Sequence, residues 1–203
     1  MKRQMHRHWP PLAALSLLVC IALLASGCGS KPVEPPPPPV VEEVDYRTPV
    51  VGGRILEDGR KIGGSVKGAL GEELTNSFFS FSIDRAELAA EYEGEKAVRG
   101  YTYLVAEITV INVLDKPLPM WSDDFLIQWG DGEMEYGYPI EKFAEGQMDD
   151  EFSIPVDGVV IRDMVFEVPN RDSSVEYTIS YQEYYEDDVD GNTFYILFTL
   201  PED

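Results

Sequence analysis

Between Phe79 and Leu200 the apolar residues tend to fall at every second position. Phe79, Phe81 and Ile83 alternate with Ser80, Ser82 and Asp84, a period that sends one row of side chains inward and the other outward along a β-strand. Tyr101 to Val113 is longer and mostly apolar, with Leu104, Ala106, Ile108 and Val110 in one row and Glu107 and Thr109 in the other. It predicts a central, well-buried strand. Asn112-Val113-Leu114-Asp115-Lys116-Pro117 closes it with turn-forming residues. Phe125 to Trp129 predicts another strand, stopped by Gly130-Asp131-Gly132, a hairpin-type signal leading into Met134 to Ile140. Val159 to Val168, Val175 to Tyr181 and Thr193 to Leu200 predict three more. The last two are separated by an acidic loop ending in Asp190-Gly191-Asn192. Helix is scarce: Arg85 to Val98, containing Glu87-Leu88-Ala89-Ala90-Glu91, offers a turn or two, interrupted by Gly94. Short strands with turn signals between them and little helix predict an all-β sandwich.

The start of the chain follows another pattern. A basic leader with Lys2, Arg3 and Arg7 precedes an apolar run from Leu12 to Leu24, and Ala25-Ser26-Gly27-Cys28 follows. At about 1.5 Å per residue the run spans only ~20 Å of a ~30 Å hydrocarbon core, too little for a comfortable transmembrane helix. The layout is that of a secretory signal. Small residues ahead of a cysteine resemble the lipobox of bacterial lipoprotein precursors, although Ala25 stands where that family prefers leucine. The resemblance implies that Cys28 receives a diacylglycerol, that residues 1–27 are removed, and that Cys28 anchors the protein to the lipid bilayer.

Residues 28–49 then read as the lipidated cysteine and a Pro-rich disordered linker. Pro35 to Pro39 fix φ and remove amide donors, favouring polyproline II at about 3.1 Å per residue. From Gly29 to Pro49 such a stalk reaches ~65 Å when fully extended. Residues 50–75 are glycine-rich with scattered basic residues and predict a flexible lead-in with one weak hairpin around Asp58-Gly59. Neither G-x-G-x-x-G nor G-x-x-x-x-G-K-[ST] occurs here, so nucleotide binding is not supported. The sandwich domain is expected over residues 76–203.

Removing the leader sharpens the chemistry. His6, His8 and Cys20 leave with it, so residues 28–203 hold no histidine and no thiol besides Cys28. That excludes Ser-His-Asp and Cys-His nucleophilic sites, imidazole or thiolate zinc sites, haem ligation by His or Cys, and iron–sulfur clusters. No disulfide is available, so packing must hold the fold. No cofactor is expected. Residues 28–203 carry 13 Lys and Arg against 37 Asp and Glu, and from Asp123 onward 22 acidic residues face only Lys142, Arg162 and Arg171. Such a balance argues against nucleic acid and against direct docking of this half to an anionic lipid surface. It describes a solvated surface first, and a cation-binding or basic-partner-binding face second.

Three features carry a family resemblance: the strand Tyr103 to Asn112 followed by Lys116-Pro117, then Phe125, then Gly158 ahead of Met164-Val165-Phe166-Glu167-Val168-Pro169. Over Asn76 to Leu200 the chain resembles bacterial exported lipoproteins of unknown function with a telokin-like, mycobacterial-antigen-like immunoglobulin-fold domain. The resemblance implies an immunoglobulin-like antiparallel β-sandwich preceded by a signal peptide and a Pro-rich disordered linker. It implies no chemistry.

Carboxylates supply the candidate chemistry. Glu183, Glu186, Asp187, Asp188 and Asp190 are dense enough to suggest calcium, which takes several oxygens at ~2.4 Å. An EF-hand loop beginning at Glu186 places Asp188, Asp190 and Gly191 correctly but puts Leu197 where a bidentate glutamate is needed, so it is rejected. Glu186, Asp187, Asp188 and Asp190 remain candidates for a looser site, against the simpler reading of a solvated hairpin tip. Asp149, Asp150 and Glu151, and separately Asp123 and Asp124, carry the same simple reading. Paired carboxylates are too numerous here to single out a glycosidase pair. Trp121, Trp129, Tyr136, Tyr138, Tyr181, Tyr184 and Tyr185 are candidates for sugar stacking, though aromatic residues at strand spacing more often build a core, and Trp129 continues the inward row of Phe125 and Ile127.

The sequence therefore predicts a lipoprotein on the extracytoplasmic face of a bacterial membrane, without catalytic residues. Its sandwich is expected to bind a protein or cell-wall polymer partner or to organise the envelope. A calcium-dependent or carbohydrate-binding surface domain is the alternative, and a carboxylate-based hydrolase the third.

Overall fold

The computed structural model describes residues 47–130, 132, 134–171 and 175–200. The leader, Cys28 and the linker as far as residue 46 lie outside the described residues.

The strands run in chain order β1 (Val51–Ile55), β2 (Lys61–Ala69), β3 (Leu74–Thr75), β4 (Phe79–Ala89), β5 (Glu91–Tyr92), β6 (Glu95–Lys96) and β7 (Tyr101–Asn112). They continue with β8 (Leu118–Trp121), β9 (Phe125–Trp129), β10 (Tyr136–Gly137), β11 (Glu151–Ile154), β12 (Val159–Pro169), β13 (Glu176–Tyr185) and β14 (Val189–Thr199). One sheet has the order β1-β2-β14-β13-β9-β10 and the other β12-β7-β4-β3, with β11-β8 and β5-β6 as two-stranded additions. The inward rows of both large sheets form one hydrophobic core, so the architecture is an all-β sandwich.

The long apolar run is the centre of its sheet. β7 pairs with β4 on one side and β12 on the other, and Leu104, Ala106, Ile108 and Val110 are all fully buried. Phe79, Phe81, Phe125 and Tyr181 meet edge-on or tilted across the sandwich, with ring centroids 4.6–6.4 Å apart. Burying each such ring contributes about 1.5–3 kcal/mol. On the outer face of the four-stranded sheet Tyr103, Val105 and Val165 make a second, smaller cluster, covered by Ala89, Tyr92, Ala97 and Ile140.

Asn112 does more than end its strand. Buried to 2% exposure, it donates Nδ2 to the carbonyls of Lys116, Ile154 and Pro155 at 2.9–3.1 Å, and its Oδ1 accepts the Leu114 N–H at 2.8 Å. One side chain thus ties the 113–117 turn to the end of β11.

The structure departs from the sequence reading at several places. Residues 50–75, expected as a flexible lead-in, form β1, β2 and β3, and β2 lies parallel to β14 in an otherwise antiparallel sheet. The expected hairpin around Asp58-Gly59 is there, closing β1 onto β2. The last residues of the expected linker are also held: Thr48 N–H donates to the Thr75 carbonyl at 3.0 Å, and Thr48 Oγ1 accepts the Thr75 N–H at 2.8 Å. Arg85 to Val98 contains no helix. Ala86 and Leu88 instead extend β4 opposite Ala106 and Leu104, because a long apolar partner strand outweighs local Ala and Glu propensity. Met134 to Ile140 supplies only the two residues of β10. The acidic loop contracts to a turn at Glu186, Asp187 and Asp188, and Asp188 takes a positive φ of 59°.

Candidate functional site

The inward row of β13 reads Tyr177, Ile179, Tyr181 and then Glu183, and that of β14 reads Asn192, Phe194, Ile196 and Phe198. The strand period therefore carries a carboxylate and an amide into the same end of the sandwich, next to the β13–β14 turn. Glu183 is 1% exposed and sits at a register shift between Gln182 and Tyr184, a bulge that re-aims the side chain.

Both carboxylate oxygens of Glu183 are hydrogen-bonded. Oε1 accepts the Ser77 N–H, and Oε2 accepts both the Asn192 N–H and Asn192 Nδ2, each at 2.9 Å. The Tyr185 hydroxyl approaches the same oxygen at 3.5 Å and shares a 3.1 Å hydrogen bond with Ser77 Oγ. Asn192 also accepts the Gly64 N–H on Oδ1 and donates Nδ2 to the Lys61 carbonyl. The pair thus binds β13, β14, β2 and the turn before β4 into one unit.

Above this pair lies an open groove of about 600 Å³. Its walls come from the entering segment 47–50, the β1–β2 turn, the 76–78 turn and the 114–116 loop. Four cations line it: Arg47, Arg60, Lys61 and Lys116. The described residues hold only twelve Lys and Arg, so one third of the domain's cations converge here. Arg60 lies over the Tyr185 ring, 4.7 Å from its centroid, and forks onto Asp187 at 2.5 and 3.0 Å while reaching Asp58 at 2.7 Å. Hydrogen bonds donated to Asp187 and Asp58 hold the guanidinium pKa above its ordinary value. Arg60 in turn holds the Asp187 carboxyl below the usual range, and does the same to Asp58 chiefly through its backbone N–H. Burial pushes the Tyr185 hydroxyl up.

The candidate calcium residues are divided among different partners. Asp187 takes Arg60, Asp188 accepts the Tyr184 hydroxyl at 2.9 Å, and Glu186 is nearly fully exposed with Lys116 at 3.9 Å. Asp190 lines a separate shallow cleft beside Gly52 and Gly53. Among the described residues no three acidic, histidine or cysteine side chains are grouped to hold a metal ion. Asp149 pairs with Lys142, Asp150 accepts the Lys142 N–H, and the Asp124 carboxylate accepts the Trp121 backbone N–H. Glu151 opens β11 and is exposed.

The aromatic candidates separate in the same way. Trp129 and Tyr181 belong to the core. Tyr185 is in the groove, Tyr184 is exposed, and Trp121 and Tyr138 flank a different shallow cleft of about 410 Å³ with Asp123, Glu141 and Asp150. Tyr136 packs edge-on against Tyr138 with centroids 6.1 Å apart. Sequence reading grouped Glu183 with the acidic turn and passed over Asn192 and Asn76. The signal for the first two was the strand period itself, which places both in the inward rows.

No protein-family model matches the chain, and no curated protein matches it. Solved structures do. The ycdA protein of Bacillus subtilis, a candidate lipoprotein, is similar over 61% of this chain at 20% identity and a TM-score of 0.45, and the matched region is 38% of that protein's length. An uncharacterised β-sandwich protein of Clostridium difficile is similar over 71% of this chain and 99% of its own, at 13% identity and a TM-score of 0.44. The yjhA protein of Bacillus subtilis is similar over 64% of this chain and 96% of its own, at 14% identity and a TM-score of 0.42.

Proposed function

We propose that this chain is a lipid-anchored, extracytoplasmic protein whose sandwich binds a partner rather than transforming a substrate. The groove carries the reading: its one buried carboxylate, Glu183, is committed to three close N–H donors, while four cations line the opening. A carboxylate whose two oxygens both hold backbone N–H groups serves to position those groups. The open rim suits a segment of another molecule. Cys28, at the end of the Leu12 to Leu24 run, supports the anchor.

We further read the sandwich as immunoglobulin-like. Taking β4, β7 and β12 as strands A, B and E, and β9, β10, β13 and β14 as C, C′, F and G, gives the neighbours A-B-E in one sheet and C′-C-F-G in the other. The parallel β2 then adds outside strand G.

Two measurements test this reading on the full chain. Replacing Cys28 with Ser should abolish incorporation of labelled fatty acid and move the protein out of the detergent-extracted membrane fraction. Detergent-solubilised protein should then retain envelope components without altering them. Turnover of a retained component would overturn the binding reading.

A further inference from the structure

Two of the four groove cations have no tight carboxylate partner among the described residues. Lys61 Nζ donates to the Val50 carbonyl at 2.5 Å, a dipole rather than a charge. Lys116 Nζ stands 3.9 Å from Glu186, whose side chain is 99% exposed, so water screens that pair heavily. Arg60 differs, because Asp58 and Asp187 already occupy it.

Asn76 lines the same groove. Its Oδ1 accepts the Phe78 and Phe79 N–H groups at 2.7 and 3.0 Å, which fixes the orientation of the amide. That leaves Nδ2 as a buried donor with no partner among the described residues, in a side chain only 1% exposed. Native proteins keep such groups rare, and one beside a groove calls for an acceptor. Glu183, the buried carboxylate in the same lining, accepts from Ser77 and Asn192 and makes no hydrogen bond to Asn76 Nδ2.

We infer that the groove is an oxyanion site. It takes the phosphate or carboxylate group of a ligand, with Lys61 and Lys116 supplying charge and Asn76 Nδ2 the buried hydrogen bond. This rests on the binding reading above and names the ligand class for the same groove. Phe78 and Phe194 in the lining give an apolar body attached to that group something to pack against. A chain of formal charge −21 repels free anions at long range, so selectivity must come from this local convergence.

The test titrates inorganic phosphate into the full, isotope-labelled chain in detergent at constant ionic strength, with chloride as reference. Saturable movement of the Asn76 side-chain amide signals, together with the Lys61 and Lys116 backbone amides, is expected. The double variant Lys61→Gln, Lys116→Gln should raise the apparent Kd at least tenfold. Asn76→Asp keeps an oxygen for the Phe78 and Phe79 amides but replaces the free donor with negative charge, so it should lose phosphate binding. If that variant melts early, the lysine pair decides alone. Acetate against glycerol 3-phosphate separates carboxylate from phosphate, and phosphatidylglycerol vesicles against soluble glycerol 3-phosphate separate a lipid head group from a free ester. Shifts that fail to saturate, or that chloride reproduces, overturn the inference. An envelope component that occupies the groove while every oxyanion fails would overturn it too and leave the binding reading standing.

Discussion

Glu183 Oε2 accepts both the backbone N–H and the side-chain amide of Asn192, each at 2.9 Å, across the β13–β14 ladder. The contact turns the far end of the sandwich from two strand termini into a fixed platform, because Asn192 passes the connection on to Lys61 and Gly64 of β2. A domain whose residues 47–200 hold no cysteine gains rigidity beside its groove by this route. The cost is a buried charge that must stay fully hydrogen-bonded.

Removing that carboxylate strands its donors. Glu183→Ala should lower stability by about 3 kcal/mol, since the Ser77 and Asn192 N–H groups and Asn192 Nδ2 lose their acceptor in a buried site. Glu183→Gln keeps one accepting oxygen and should cost about 1–2 kcal/mol. Urea unfolding of both variants, with the exposed Glu186→Gln as a control of unchanged midpoint, checks the order.

Gly191 leaves room for Glu183. A Cβ at Gly191 would fall on Glu183 Cβ and meet the Tyr185 ring at 2.9 Å, whereas a Cβ at Gly146 meets nothing nearer than 3.4 Å. Gly191→Ala should therefore lower the melting temperature clearly and Gly146→Ala should leave it nearly unchanged. Equal melting of the two would show that the bulge relaxes freely.

Acid should release the Arg60 clamp. Asp58 and Asp187 titrate below their ordinary range in the folded protein, so the folded state binds fewer protons there than the unfolded one. Their contribution is present above the ordinary carboxylate pKa near ~4 and is lost as pH falls through the lowered folded values. In Arg60→Gln that part of the acid limb should flatten. Melting temperatures from pH 7 down to pH 2.5, wild type against variant, give the comparison.

Alkali should act through buried tyrosines. Burial raises the Tyr181 hydroxyl well above its ordinary pKa, and burial together with the 3.0 Å bond to Asp163 does the same for Tyr92. Stability from these groups is complete below about pH 10 and declines as pH rises toward the raised folded values. Tyr181→Phe should melt close to wild type at pH 7 and above it at pH 11. A variant no more alkali-resistant than wild type would remove Tyr181 from this account.

Calcium should behave as any divalent ion toward this domain. Asp187, Asp188 and Glu186 face different partners, so titrating calcium against magnesium at equal ionic strength should shift the melt by similar, non-saturating amounts. Saturable stabilisation by calcium alone, abolished in Asp188→Asn with Asp190→Asn, is the contrary result.

Much of the sandwich was legible along the chain. Period-two patterning located β7, β9 and β12 to within a residue or two and assigned Leu104, Ile108, Phe125 and Trp129 to the core, because a strand buried on one face writes its environment into alternate positions. The same patterning failed for β1 and β2. Their glycines give no hydrophobic row, and β2 is ordered by its parallel neighbour β14, more than a hundred residues away in sequence.

What the sequence by itself determined is the all-β character, the inventory that removes histidine and thiol chemistry from residues 28–203 apart from Cys28, and the imbalance of charge. Each depends only on residue type and local spacing. Tertiary structure alone decided that Arg47, Arg60, Lys61 and Lys116 meet in one groove, that the acidic turn is shared out rather than gathered, and that Asn76 keeps a buried donor without a partner among the described residues. Those facts depend on which distant segments pack together. Local pattern states which face of a strand is buried, and only the folded chain states what is buried opposite it.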